Sequence, residues 1–353
     1  MSKYWSTFAK RVDPYTPGEQ PKDQRYVKLN TNENPYPPSP EVLKVLKEGC
    51  NELLRLYPDP DSSELKQAIA NNFALEREQV FVGNSSDEVL ALAFMAFFAQ
   101  PKPLLFPDIT YSFYDVYCKL YGIEYQRLPL NSDLEIDIED YSVENGGIVF
   151  PNPNAPTGHL LQLGEIERLL QRNTESVVLV DEAYIDFGGQ SAVGLIKQYP
   201  NLLVVQTFSK SRSLAGMRVG YAMGNSELIE GLERIKNSFN SYPLDRLAAA
   251  GGIAAMEDDA YFQATCQKII TTRQQAQAKF EALGFNVIPS AANFLFVSHK
   301  TASAKQLYLD LKERGVLVRY FGKERIDNYL RVTIGTDAEM SVLFDHLEQC
   351  LEQ

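Results

Sequence analysis

Cysteine and histidine are scarce in this chain. Its four cysteines, Cys50, Cys118, Cys266 and Cys350, form no C-x-x-C pair, and its only histidines are His159, His299 and His346. Neither a metal-site spacing nor a disulfide framework is present, so reduced thiols and no bound metal are expected. Long apolar runs are also missing. The stretch Val89 to Ala99 is the longest, well short of the about 20 residues that a membrane helix needs. The opening Met1-Ser2-Lys3-Tyr4-Trp5 lacks the apolar core of a signal peptide, which makes the cytoplasm the default location. Positive charge is in deficit: the formal net charge is −12, and no basic cluster occurs. That argues against a nucleic-acid partner, because neutralising phosphates takes concentrated lysine and arginine. An anionic substrate would have to be drawn in by local arginines rather than by the overall field.

What remains is an ordinary globular composition, 44% apolar and 23% charged, in a chain long enough for one large domain and a smaller one. Residues 1–40 are rich in proline and asparagine without helical period and read as an extended arm that joins the small domain. Pro40-Glu41 opens a helix toward Glu52, and Ser62-Ser63-Glu64 reads as the cap of another. Apolar strand candidates follow at Val80–Val82, Leu104–Phe106, Glu124–Leu128, Ile148–Phe150, Val177–Val180, Leu202–Gln206 and Val219–Met223, separated by helical stretches. Such runs predict an α/β domain with a mostly parallel seven-stranded sheet covered on both faces. Helical period dominates from about 225 to Leu283. Strands at Phe294–Val297, Val316–Arg319 and Leu330–Ile334, with helices at 301–314 and 337–351, predict a smaller α+β domain. The expected division is arm 1–40, large domain 41–270 and small domain 271–353.

The most informative stretch is Thr207-Phe208-Ser209-Lys210-Ser211-Arg212-Ser213-Leu214-Ala215-Gly216-Met217-Arg218-Val219-Gly220. A lysine stands just past a buried-type strand, and an arginine follows eight residues later in a glycine-punctuated turn. Twenty-nine residues before Lys210, the strand Val177–Val180 runs into Asp181, with Tyr184 three residues on. These types together suit pyridoxal phosphate (PLP). A lysine amine can condense with the cofactor's aldehyde. A carboxylate, Asp181, can keep the pyridine nitrogen protonated so that the ring accepts electrons. The Tyr184 hydroxyl can bond the phenolic oxygen, and Ser209 and Arg218 can hold the phosphate. Functional residues at strand ends fit the rule that open α/β sheets bind ligands outside the carboxyl ends of their strands.

On these residues, with Asn152-Pro153-Asn154-Ala155-Pro156-Thr157-Gly158 and Asp181-Glu182-Ala183-Tyr184, the chain resembles the fold-type I PLP-dependent aminotransferases over nearly its whole length. Within them it is most similar to the histidinol-phosphate aminotransferase subfamily. That narrower likeness rests on Asp13-Pro14-Tyr15-Thr16-Pro17-Gly18, Leu29-Asn30-Thr31-Asn32-Glu33-Asn34-Pro35, Arg55-Leu56-Tyr57-Pro58 and Tyr329-Leu330-Arg331-Val332-Thr333-Ile334-Gly335. The resemblance implies that Lys210 is the catalytic lysine. It implies that Ser85 and Ser86, in the turn Gly83–Glu88 that opens a helix, help hold the phosphate, although a Ser/Asp helix cap would read the same in sequence. It implies an aromatic ring, Tyr111, over the pyridine, and counts Thr207 among the cofactor contacts. Tyr57 is expected to reach the cofactor phosphate of a second subunit in a homodimer. Tyr15, Asn32, Arg319 and Arg331 are expected to meet the substrates, with a hairpin-like return bringing the two arginines together.

One position departs from the family pattern. The asparagine usually found before Pro-Thr-Gly, whose amide bonds the phenolic oxygen, is Ala155 here. Either Tyr184 holds that oxygen alone or Asn154 reaches it through a shifted backbone. The implied reaction is transamination between histidinol phosphate and 2-oxoglutarate, giving imidazole acetol phosphate and glutamate. An aromatic amino acid aminotransferase and a threonine-phosphate decarboxylase are the neighbouring alternatives. A non-catalytic PLP-fold regulator would need a lost lysine or an added DNA-binding domain, and neither is seen.

Overall fold

A computed structural model describes residues 2–15 and 18–352. Thr16 and Pro17 of the Asp13–Gly18 motif lie outside the described residues. Thirteen strands are numbered in chain order among these residues. They are β1 (Val27–Lys28), β2 (Val80–Asn84), β3 (Leu104–Pro107), β4 (Tyr125–Leu128), β5 (Gly147–Pro151), β6 (Val178–Asp181) and β7 (Leu202–Thr207). Then follow β8 (Val219–Gly224), β9 (Phe285–Ile288), β10 (Phe294–His299), β11 (Val316–Leu317), β12 (Arg319–Tyr320) and β13 (Leu330–Thr333).

Seven strands form one sheet in the order β2-β8-β7-β6-β5-β3-β4. Only β8 runs against its neighbours, so the expected mostly parallel sheet is found. The central strands are buried on both faces because helices cover both, which is why they read as unbroken apolar runs. One apolar cluster, around Leu65, Ile69, Phe150 and Val204, fills one face; a second, around Phe81, Phe94, Tyr114 and Val205, fills the other.

A four-stranded antiparallel sheet, β12-β13-β10-β9, packs with the helices Ala304–Glu313 and Asp337–Leu351 around a third cluster that includes Leu295, Leu307, Val332 and Leu343. Two details differ from the sequence expectation. Strand β9 was not foreseen: Asn286 interrupts its apolar run at the sheet edge, and only Phe285 is buried. The predicted strand Val316–Arg319 is two strands that serve different partners. Val316 and Leu317 pair with the arm at Val27 and Lys28, whereas Arg319 and Tyr320 pair with β13.

The arm is not wholly extended. Ser6 caps a short helix, Thr7–Arg11, by accepting from the Ala9 N–H. The arm also ties the parts together. Tyr15 stacks on Phe113 of the large sheet's helical cover at 4.4 Å. Glu19 accepts from the Tyr308 hydroxyl at 2.6 Å and pairs with Lys312 on the opposite side. The helix Ser63–Phe73 is not capped by Ser62, which sits in the left-handed region; Asp59 accepts from the Ser63 N–H at 2.8 Å instead. No helix of the described residues is long and apolar enough to cross a membrane.

Candidate active site

The carboxyl ends of β5, β6 and β7 open onto a cavity of about 430 Å³ between the large sheet, the arm and the four-stranded sheet. Its wall includes Tyr15, Asn32, Ser85, Ser86, Tyr111, Asp181, Tyr184, Thr207, Ser209, Lys210, Arg218, Arg319 and Arg331. Every expected site residue is therefore brought together except Tyr57. That residue is 78% exposed, lies outside the cavity and stacks on Tyr242 at 4.8 Å.

Two strand ends aim the central pair. Asp181 closes β6 and is buried at the cavity wall. Burial pushes its carboxyl up to about 6, opposed by the Tyr114 hydroxyl donating at 3.0 Å, by the Ala183 N–H and by Lys210 nearby. Lys210 follows β7; its Nζ donates to the Thr31 carbonyl at 3.2 Å and lies 5.8 Å from the centre of the Tyr184 ring. Asn34 fixes the lysine's backbone by donating to the Lys210 and Ser211 carbonyls at 3.0 and 3.2 Å. Below that turn, Asp186 accepts from the Ser211 hydroxyl at 2.5 Å.

A third corner is a cup of donors. The helix Ser85–Ala93 begins at the cavity, with Ser85 in the left-handed region at φ 73° and its N–H bonded to the Arg218 carbonyl. The Thr207 and Ser209 hydroxyls lie 3.0 Å apart beside it. Asp87 sits within the cup. It accepts from Arg218 at 2.8 Å, from the Tyr111 hydroxyl at 3.0 Å and from the Ser85 hydroxyl at 3.3 Å. Burial and the Asp87 charge hold the Tyr111 hydroxyl well above its ordinary value.

The fourth corner carries paired arginines. Arg319 stands opposite Arg331 in the β12–β13 register, so the return expected from sequence exists as adjacent antiparallel strands. Arg331 is half-buried, and its desolvation lowers its pKa. It donates from Nη2 to the Asn30 carbonyl at 3.0 Å and lies over the Phe294 and Phe321 rings. Its Nε is buried without a partner.

The residue before Pro156 is settled as well. Ala155 lines the cavity, while the Asn154 amide turns away to the Ile109 carbonyl at 3.1 Å and the Thr157 hydroxyl at 3.0 Å. A shifted backbone does not bring Asn154 to the site. Asn32, expected among the substrate contacts, gives its amide to the Tyr184 hydroxyl at 3.0 Å. Sequence reasoning missed Asp87, Tyr114 and Asn34. Asp87 reads as a first-turn helix acid and Tyr114 as one of many core aromatics, and Asn34 stands in the Leu29–Pro35 motif without a role of its own.

The profile for aminotransferase class I and II matches residues 24–347 of this chain. The chain belongs to the class I and II aminotransferase family. It is 61% identical to histidinol-phosphate aminotransferase 1 of Hydrogenovibrio crunogenus, over 100% of this chain and 99% of that one. It is 58% identical to histidinol-phosphate aminotransferase 1 of Pseudomonas aeruginosa, over 98% of this chain and 99% of that one. Among solved structures, histidinol-phosphate aminotransferase from Sinorhizobium meliloti in complex with pyridoxal-5'-phosphate superposes with a TM-score of 0.91. It is 22% identical and covers 100% of this chain and 98% of its own, a likeness of fold.

Proposed function

We propose that this enzyme is a PLP-dependent aminotransferase that exchanges the amino group between histidinol phosphate and 2-oxoglutarate. The cavity fits the cofactor. Four cationic side chains, Lys210, Arg218, Arg319 and Arg331, share it with the three carboxylates Asp87, Asp181 and Glu33. Thr110 Oγ1 and Arg331 Nε are buried at its wall with no protein partner, as expected of a place built for an anionic ligand.

In this reading the helix start at Ser85 and Ser86, with Thr207, Ser209 and Arg218, would hold the phosphate. Asp181 would face the pyridine nitrogen and Tyr184 the phenolic oxygen, with Tyr111 over the ring. The cofactor supplies an aldehyde that condenses with amines and a ring that withdraws electrons from the reacting carbon. Lys210 would carry the proton to and from the carbon that bears the amino group. The Thr31 carbonyl, 3.2 Å from Lys210 Nζ, gives that amine a resting contact.

The observation that carries the substrate assignment is the half-buried Arg331, whose enclosed Nε has no protein partner, standing opposite Arg319 on the neighbouring strand. Two like charges held this close repel, and a dianionic phosphate would offset both through forked hydrogen bonds. Tyr15 would add a hydroxyl from the arm. The relatives named above carry the same activity in their names over their full length, which supports this choice over the aromatic and decarboxylase alternatives. Histidinol phosphate added without an acceptor should convert the visible absorbance of the wild type in one turnover. Lys210→Ala should show neither that absorbance nor turnover. A Lys210→Ala enzyme with near wild-type turnover contradicts the assignment.

The reading also makes the enzyme a cytoplasmic homodimer. Tyr57 and Tyr242 are exposed beside Leu53, Leu54, Leu56 and Phe239, an apolar surface suited to a second copy. Tyr57 would then reach the neighbouring cofactor phosphate. A stable active monomer in light scattering contradicts this.

A further inference from the structure

We propose that Asn32 is a positioning residue that performs, through Tyr184, part of the role of the amide missing at position 155. The inference rests on the reading that Tyr184 faces the cofactor's phenolic oxygen. Its starting point is the local poverty of polar groups. Ala155 presents a methyl group, and together with Ala292 and Phe294 it forms an apolar cluster against which the Tyr184 ring packs. Phe294 meets that ring edge-on at 5.1 Å. What is polar about Tyr184 is its hydroxyl, and Asn32 Nδ2 lies 3.0 Å from it.

The direction of that hydrogen bond is fixed by what holds Asn32. The Thr333 hydroxyl donates to Asn32 Oδ1 at 2.9 Å and accepts from the Asn32 backbone N–H at 3.0 Å. Asn293 donates to the Asn32 carbonyl at 3.0 Å. A flipped amide would leave the Thr333 proton without its acceptor, so the NH2 end faces Tyr184. The tyrosine oxygen therefore accepts, and its own proton is left to be donated into the cavity. A hydroxyl whose oxygen accepts a hydrogen bond is a stronger donor, because the two bonds polarise each other.

The backbone agrees. Asn32 is 1% exposed and sits at φ 57°, a left-handed conformation that asparagine tolerates better than other side-chain-bearing residues. Three hydrogen bonds over-determine it there, the pattern of a residue held for its placement. The arm thus brings to the large sheet a polar group that the Asn154–Gly158 turn does not provide. Lys210 and Arg331 also act on Tyr184, and both stay in place in every variant below.

The test uses enzyme reconstituted with the cofactor and free of substrate. Two quantities are read: the pH midpoint of the bound cofactor's visible absorbance, and the cofactor dissociation constant. Loss of a proton from the chromophore leaves more negative charge on the phenolic oxygen, and a donor there favours the deprotonated form. Weakening the donor must raise the midpoint. Tyr184→Phe should raise it most. Asn32→Gly, which tolerates the left-handed backbone, should raise it by about half to one unit. Thr333→Val keeps the amide but frees it, and should shift the midpoint the same way by less. It also serves if Asn32→Gly folds poorly. In the Tyr184→Phe background, Asn32→Gly should add nothing.

An equal Asn32→Gly shift with and without the Tyr184 hydroxyl overturns the proposal, since the amide would then act by another route. So does a weaker cofactor affinity with an unmoved midpoint, the mark of a residue that only knits the arm to β13. If Tyr184→Phe itself leaves the midpoint in place, the placement of Tyr184 has failed, and the proposal falls with it.

Discussion

Gly220 tests the cup without touching any side chain in it. It pairs with Gly83 across β2 and β8, at the point where the helix Ser85–Ala93 starts. A Cβ on Gly220 would lie 2.2 Å from the Ser86 nitrogen and 2.3 Å from the Ser85 carbonyl carbon, where real contacts stay above 3.0 Å. Both are backbone atoms, so Gly220→Ala must part strand and helix start by about 1 Å, an overpacking that costs about 1–3 kcal/mol. The same movement draws the helix N–H groups off the phosphate. A hydrogen bond of about 2.9 Å stretched by about 1 Å is no longer one. Losing one such bond to a charged group costs about 1.5–3 kcal/mol, at least about tenfold in cofactor dissociation constant. The assay is a cofactor titration of the apoenzyme, followed by absorbance, with thermal unfolding alongside. Gly164→Ala, where an added Cβ meets nothing within 4 Å, is the control. An unchanged dissociation constant and melting temperature for Gly220→Ala would refute the reasoning.

Three further outcomes follow from the same geometry. Burial raises the Asp181 carboxyl from 3.8 to about 6 in the cofactor-free protein, so the folded state binds this proton more tightly than the unfolded chain does. Its stabilising contribution is full below about 3.8 and is lost as pH rises through about 6. The melting temperature of cofactor-free wild type should therefore fall relative to Asp181→Asn across that window, and a constant gap contradicts the assignment. Arg331→Ala should raise KM for both donors by about ten- to a hundredfold, the worth of one forked charged pair, whereas Tyr15→Phe should weaken histidinol phosphate more than glutamate. Equal losses for Tyr15→Phe with the two donors would remove the hydroxyl from the phosphate.

Much of this architecture is written in residue order. The central strands β5, β6 and β7 are legible because burial on both faces forces continuous apolar runs, as in Leu202–Thr207. Lys210, Asp181 and Arg218 stand out in sequence because cofactor chemistry would ask for those types at strand ends, and the fold brings all three to one cavity. Tertiary decisions are not legible. Nothing in Val316–Arg319 says that its halves serve different partners, which the arm at Val27 decides. Asp87 looks like a helix acid and Asn34 like one polar residue among several in its motif, and only the folded chain shows the first on Arg218 and the second on the Lys210 backbone. Ala155 marks a gap in the family pattern, and the amide proposed to answer it, at Asn32 on the Tyr184 hydroxyl, lies over a hundred residues earlier.

The central claim is that this cavity selects a phosphorylated amine through Arg319, Arg331 and Tyr15. Measuring kcat/KM with 2-oxoglutarate for histidinol phosphate, histidinol and phenylalanine tests it most directly. Histidinol differs from histidinol phosphate only by the group the arginines would hold. Histidinol phosphate should exceed both by at least about a hundredfold, the worth of two charge-assisted contacts. If phenylalanine matches it, the aromatic aminotransferase reading replaces this one; if histidinol matches it, the arginines do not read the phosphate.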